Sequence, residues 1–129
     1  MITELRSAVA ELLRAEELGD VYEYVPGDVA AYPCLVVGRG SANPSAGVGS
    51  IFDVSLTIYV CGRPQSDDAQ DELDKWVDAV ITSCGGTRVR TFHDVAISVV
   101  AVAPSVVALA GNNNVPCYEV TVETAVATC

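Results

Sequence analysis

Any chemistry in this chain has to come from a small set of side chains. The one histidine, His93, stands beside Asp94, and an imidazole next to a carboxylate invites a general-base role. Adjacent residues at the start of a strand point in opposite directions, so Asp94 does not orient the ring, and a surface turn is the expected place for both. Gly38-Arg39-Gly40-Ser41-Ala42-Asn43 opens like a dinucleotide fingerprint, but Asn43 replaces the third glycine and Pro44 stands where a helix should begin. A P-loop needs G-x-x-x-x-G-K-[ST], and the one lysine, Lys75, lies far downstream. The five cysteines (Cys34, Cys61, Cys84, Cys117 and Cys129) are odd in number, widely spaced and without a C-x-x-C pair, which speaks against zinc and dithiol motifs. Four of them sit in or beside apolar segments, which predicts buried, reduced thiols. No G-x-S-x-G elbow, H-E-x-x-H pair or cysteine-nucleophile signature is present. The expectation is a protein with no enzymatic activity, no cofactor and no metal.

Two further groups invite a binding role. Asp67, Asp68, Asp71, Glu72, Asp74 and Asp78 crowd one segment, and clustered carboxylates can hold Mg²⁺ or Ca²⁺. The series Asp67, Asp71, Asp74, Asp78 has the spacing of the solvent face of an amphipathic helix, which accounts for it without a metal. Repulsion at four-residue spacing costs roughly a few tenths of a kcal/mol per pair, partly offset by Lys75. Tyr22, Tyr24 and Tyr32 gather around Val25-Pro26-Gly27-Asp28, a segment too polar for deep core. Tyrosine contributes contact area at low entropic cost, so Tyr22, Tyr24, Pro26 and Tyr32 are a candidate subunit interface, with half-buried packing as the alternative.

The composition bounds what these groups can do. The chain has 129 residues, half of them hydrophobic, and seven basic against seventeen acidic side chains give a net charge of −10. That length supports one domain with a sizeable core, and the apolar content excludes intrinsic disorder. So acidic a chain is poorly suited to gripping a phosphate backbone. The longest apolar stretch, Val95 to Ala110, is interrupted by Ser98, Pro104 and Ser105 and is too short to span a bilayer. The start, Met1-Ile2-Thr3-Glu4, lacks the pattern of a signal peptide, so the cytoplasm of the producing cell is the expected place of synthesis.

The elements that carry these residues follow from periodicity and turn chemistry. Ile2, Leu5, Val9, Leu12 and Leu13 predict a helix from about Thr3 to Leu18, stopped at Gly19. Val21 to Val25 alternate as a short strand or extended arm, and Pro33 to Gly38 follow as a strand whose run Cys34-Leu35-Val36-Val37 should be covered on both faces. Residues 38–50 hold four glycines, three serines and a proline, and are expected to form a mobile Gly/Ser-rich loop. Phe52, Val54, Leu56, Ile58 and Val60 alternate as a strand with one core face. Ser66 caps a second helix that buries Leu73, Trp76, Val77, Val80, Ile81 and Cys84 and ends at Gly85-Gly86. Strands over about Val95–Ala103 and Cys117–Val126 complete the chain. Pro104 is expected to break the run, Val106 to Leu109 to continue it, and Gly111 to Asn114 to make a hairpin tip. The predicted fold is α+β, a mainly antiparallel sheet with two helices on one face.

Taken together, these parts resemble the tail terminator proteins of long-tailed, siphovirus-type actinobacteriophages. The resemblance covers most of the chain. It rests on the amphipathic first helix, on the segment from Val21 to Gly38 (VYEYVPGDVAAYPCLVVG), on the Gly/Ser-rich stretch, on the strand from Phe52 to Val60, and on the Asp-rich helix ending Cys84-Gly85-Gly86. It implies a virion protein, assembled in the host cytoplasm, that forms a homo-hexameric ring on the head-proximal end of the tail tube. Its implied partners are the major tail tube protein and the head–tail connector or stopper protein, with DNA passing through the channel unbound and no membrane involved. Arg39, Ser41, Asn43, Pro44 and Val48 become candidates for contacts along the tail axis, and Tyr22, Tyr24, Pro26 and Tyr32 for contacts around the ring. Asp67, Asp71, Asp74, Asp78, Glu119 and Glu123 become candidates for the channel wall, where carboxylates repel phosphate. Another head–tail connector or tail-tube component is the nearest alternative, and a small acidic bacterial binding domain the next.

Overall fold

The computed structural model describes residues 2–17, 20–23, 34–44, 51–62, 67–86, 88–92, 95–109 and 112–127. Helix α1 is Ile2–Ala15, with Leu5, Ala8, Val9, Leu12 and Leu13 buried along one stripe and Glu4, Glu11 and Arg14 exposed. It ends sooner than the periodicity predicts, because Glu17, at φ 55°, takes the left-handed turn expected of Gly19. Gly19 itself lies outside the described residues. Helix α2 is Asp67–Ser83, and it stops where the sequence predicts. The Gly86 N–H donates to the Ile81 carbonyl at 2.8 Å and the Gly85 N–H to Thr82 at 3.1 Å, the two bonds of a Schellman stop. Gly85 has φ 101°, and a Cβ there would lie 2.4 Å from the Arg88 carbonyl oxygen, so no other residue fits.

The strands are β1 (Asp20–Tyr22), β2 (Cys34–Pro44), β3 (Ile51–Cys61), β4 (Arg90–Phe92), β5 (Val95–Leu109) and β6 (Asn112–Ala127). They form one sheet in the order β1-β2-β3-β6-β5-β4. Only β1 and β2 run parallel, and the other neighbours are antiparallel. Both helices pack on the same face, where Leu5, Val9, Leu12 and Leu13 of α1 and Leu73, Val77 and Val80 of α2 meet Val54, Leu56, Ile58 and Val60 of β3 and Val120 and Val122 of β6. The fold is therefore α+β, a mainly antiparallel sheet covered by helices on one side. Arg90 ties the ends of the two helices together, donating to the Ser83 carbonyl at 2.9 Å and to Glu16 Oε1 at 3.0 Å.

Three local expectations need correcting. Residues 38–44 are not part of a loop, because β2 continues through them to Pro44. Gly38 and Gly40 serve packing there rather than chain flexibility. A Cβ on Gly38 would lie 2.7 Å from the Tyr59 ring, and one on Gly40 would lie 2.7 Å from Ile2 Cγ2. A bulge between Val37 and Gly40, where Gly38 and Arg39 stand against the single residue Thr57, absorbs one extra residue. Pro104 does not break β5, since it pairs with Tyr118 within a continuous strand. Among the described residues, β4 pairs with β5 only at Val95, Ala96 and Ile97, so at Pro104 the outer side of β5 has no strand whose hydrogen bond a proline would remove. The hairpin tip is also tighter than Gly111 to Asn114, because Asn112 already pairs with Leu109.

Candidate functional site: the helix-free face and its open edges

Period-two alternation sends the other half of each strand to the face against which neither α1 nor α2 packs. Register places Ser41 and Asn43 of β2 opposite Ser55 and Asp53 of β3, and Thr57 of β3 opposite Thr121 of β6. Glu123 pairs with Ser55 on one side and Ser98 on the other, while Glu119 pairs with Tyr59 and Ala103. This half of the face is polar and acidic. Asp53, Glu119 and Glu123 stand on it, and none of the paired positions around them holds a lysine or arginine. The Ser41 and Ser55 hydroxyls hydrogen-bond at 3.1 Å, and the Ser98 hydroxyl donates to the Glu123 carbonyl at 3.3 Å.

The other half of the same face is apolar. Cys34, Val36, Cys61, Val115 and Cys117 form a second buried cluster, with Tyr22 and Tyr59 packed against it. The run Cys34-Leu35-Val36-Val37 is thus covered on both sides, Leu35 and Val37 under the helices and Cys34 and Val36 in this cluster. Cys34, Cys61, Cys84 and Cys117 are all free and buried, as expected of reduced thiols, and Cys129 lies outside the described residues. The Cys61–Cys34 hydrogen bond holds the Cys34 thiol below its ordinary pKa, and the same bond together with burial pushes Cys61 strongly up. Burial pushes Cys84 and Cys117 up to about 11. Tyr59 is raised by burial and then by the Glu119 charge.

Among the described residues the sheet has two open stretches of edge. Among the described residues β1 covers β2 only at Cys34, Leu35 and Val36, which leaves the outer side of β2 from Val37 to Pro44 without a strand. Beyond Ile97, no described strand pairs with the outer side of β5. There Val100, Ala101, Val102, Ala103 and Pro104 are all exposed, five apolar residues in sequence, with Val100 at 53%, Val102 at 42% and, further along, Val106 at 61%. Val100 is the bulged residue between the pairs Val99–Val122 and Ala101–Thr121. Exposed apolar strand edges of this length are what soluble proteins normally avoid.

The residues singled out from the sequence fall in different places. Asp71, Asp74 and Asp78 are exposed on the solvent side of α2, and Asp67 is its first residue. Glu119 and Glu123 lie on the opposite face of the sheet, so the six acids do not share one surface. Arg39, Ser41, Asn43 and Pro44 belong to β2, with Arg39 in the bulge, Ser41 and Asn43 on the helix-free face and Pro44 opposite Phe52 on the helix side; Val48 lies outside the described residues. Tyr22 is half-buried within the subunit against the cysteine cluster. Tyr24, Pro26 and Tyr32, like His93 and Asp94, lie outside the described residues. Among the described residues no group of three or more His, Cys, Asp or Glu side chains is arranged to hold a metal ion, and no helix is long and apolar enough to cross a membrane. The open β5 edge was missed from the sequence. Its signal was the non-alternating run Val99-Val100-Ala101-Val102-Ala103, which reads as a doubly buried strand.

No protein-family model matches the chain, and no curated protein matches it.

Proposed function

We propose that the chain is a structural virion protein of the tail-terminator kind: a ring, six copies in the family it resembles, that caps the head-proximal end of a phage tail tube, stops further tube polymerisation and joins the tail to the head connector. The sequence resemblance supports the family. One observation carries the ring: among the described residues a single sheet has strands left open on their outer sides towards both of its ends. A cyclic ring uses a heterologous interface, in which two different patches of one subunit must match. Here the apolar outer edge of β5 meets the Gly- and Ser-containing outer edge of β2 in the next copy, and unpaired backbone groups on both find partners.

Only one of the two acidic groups borders the channel. The carboxylates of α2 are accounted for as the wet side of a helix, whereas Asp53, Glu119 and Glu123 stand together on a sheet face with no basic residue paired beside them. We assign the latter to the channel wall and the α2 acids to the outer rim. Six copies at −10 each carry about −60, a charge that lets DNA pass without adhering.

The test is to mix purified protein with purified tail tubes and image them by negative-stain electron microscopy. A six-fold cap on one end of each tube, with no further tube growth, is expected. Tubes that stay bare and keep growing would overturn the assignment, and density along the whole tube would make the chain a tube component instead.

A further inference from the structure

Three cysteines distant in sequence stand in one transverse row of the sheet. Cys34 pairs with Cys61 across β2 and β3, and Cys61 pairs with Cys117 across β3 and β6. The row continues to Asp20 on β1 and Ser105 on β5. Directly opposed residues of an antiparallel pair have Cβ atoms about 4.5–5.5 Å apart, close to the separation a disulfide bridges with a small backbone adjustment. Of the two possible pairs, Cys34–Cys61 lies beside the short outer strand β1, while Cys61–Cys117 lies between the two central strands β3 and β6. Cys84 lies on the helix side, away from all three.

All of these thiols are buried, so reagents reach them only through local opening. Among the described residues the row is flanked most lightly at its Cys34 end. Among the described residues the only strand outside Cys34 is β1, three residues long and paired at three positions. It is held to α1 by Arg14, which donates to the Val21 carbonyl at 3.2 Å and lies 3.8 Å from Glu23 Oε2, and both of these contacts are solvent-exposed.

We propose that Cys34 and Cys61 are a redox pair, gated by β1, that closes to a cross-strand disulfide at the expense of a small-molecule disulfide of the glutathione type. When β1 opens, the Cys34 thiolate attacks one sulfur of the small disulfide. That S–S bond breaks, a Cys34 mixed disulfide forms, and one thiolate leaves and is protonated by water. Cys61 then gives its proton to solvent and attacks the Cys34 sulfur, expelling the second small thiol. Two protein thiols are oxidised and one disulfide is reduced to two thiols, with no metal or oxygen required. The low pKa direction of Cys34 suits it to the first attack. The product ties the open-edged β2 covalently to the central strand β3. This chemistry belongs to the subunit and does not depend on the tail-ring assignment.

The test is to equilibrate the reduced full-length protein with oxidised glutathione, then alkylate, digest and map by mass spectrometry. A single intramolecular link, Cys34 to Cys61, is expected, with Cys84 still alkylatable. Cys61→Ala should stop at a glutathione adduct on Cys34, while Cys117→Ala and Cys84→Ala should still close the link. Arg14→Ala should speed closure about two- to fivefold, the equivalent of one exposed ion pair, without changing the product. Thiols that all remain alkylatable at equilibrium, or a link through Cys117 instead, would overturn the pair. An unchanged rate in Arg14→Ala would overturn the gate.

Discussion

The two faces of this sheet are made by the same strands, yet they are finished in different ways. On the helix side Val54, Leu56, Ile58 and Val60 of β3 and Val120 and Val122 of β6 share one core with α1 and α2, and Val54, Ile58, Val60, Val120 and Val122 are wholly buried. On the other side, among the described residues, only the cysteine end is covered, and the rest is a half-exposed polar surface running out to the outer sides of β2 and β5. Period-two alternation produces both faces, but among the described residues only one of them is completed by helices. The proposed ring contacts fall at the outer strands of that second face.

Substitutions separate the faces most sharply. Leu56→Ala, on the helix side, removes a side chain that is 2% exposed and should cost about 2–5 kcal/mol in urea unfolding. Thr57→Ala, one residue on and facing away from the helices, should stay within about 0.5 kcal/mol. Equal losses would mean that the second face is a core as well.

Alkaline pH should act on both faces. Cys84 on the helix side and Cys117 on the other hold their protons in the folded state up to about 11, whereas unfolding returns them to about 9. A raised folded-state pKa gives stability that is complete below pH 9 and lost as pH rises towards 11. Buried Cys84 alone contributes a slope of about 1.4 kcal/mol per pH unit in that window. Thermal melts of Cys84→Ala between those pH values should fall less steeply than those of the wild type. Parallel curves would remove burial as the cause.

The smallest effect belongs to the end of α1. Glu17 sits at φ 55°, where a residue with a Cβ is disfavoured by about 1–2 kcal/mol. Glu17→Gly should therefore stabilise the protein by up to about 1 kcal/mol after the added chain entropy is subtracted, measured as a rise in urea midpoint. A fall in that midpoint would show that Glu17 makes a contact worth more than the strain.

The helix-covered face was largely legible from the sequence. The alternation from Phe52 to Val60, the apolar spacing of α1 and α2, and the Gly85-Gly86 stop are local signals, and each appears where the sequence placed it except that α1 ends at Ala15 rather than near Leu18. What failed depended on neighbours. Gly38 and Gly40 read as chain breakers because the sequence does not show Tyr59 and Ile2 lying where their Cβ atoms would be. Pro104 read as a stop because its open outer side is a property of sheet order, not of the residue. The cysteine row needed the register of three strands drawn from distant segments. The six candidate acids looked like one group until the sheet divided them between its faces.

The central claim is that the open β5 edge joins one subunit to the next. Sedimentation equilibrium of the wild type and Val102→Lys, with circular dichroism to confirm folding, tests it most directly. Val102 is 42% exposed, so a lysine there leaves the subunit intact while placing a charge in the proposed seam. The expected result is a six-subunit mass for the wild type under ring-forming conditions and a folded monomer for the variant. A variant that assembles to the same mass as the wild type would contradict the account.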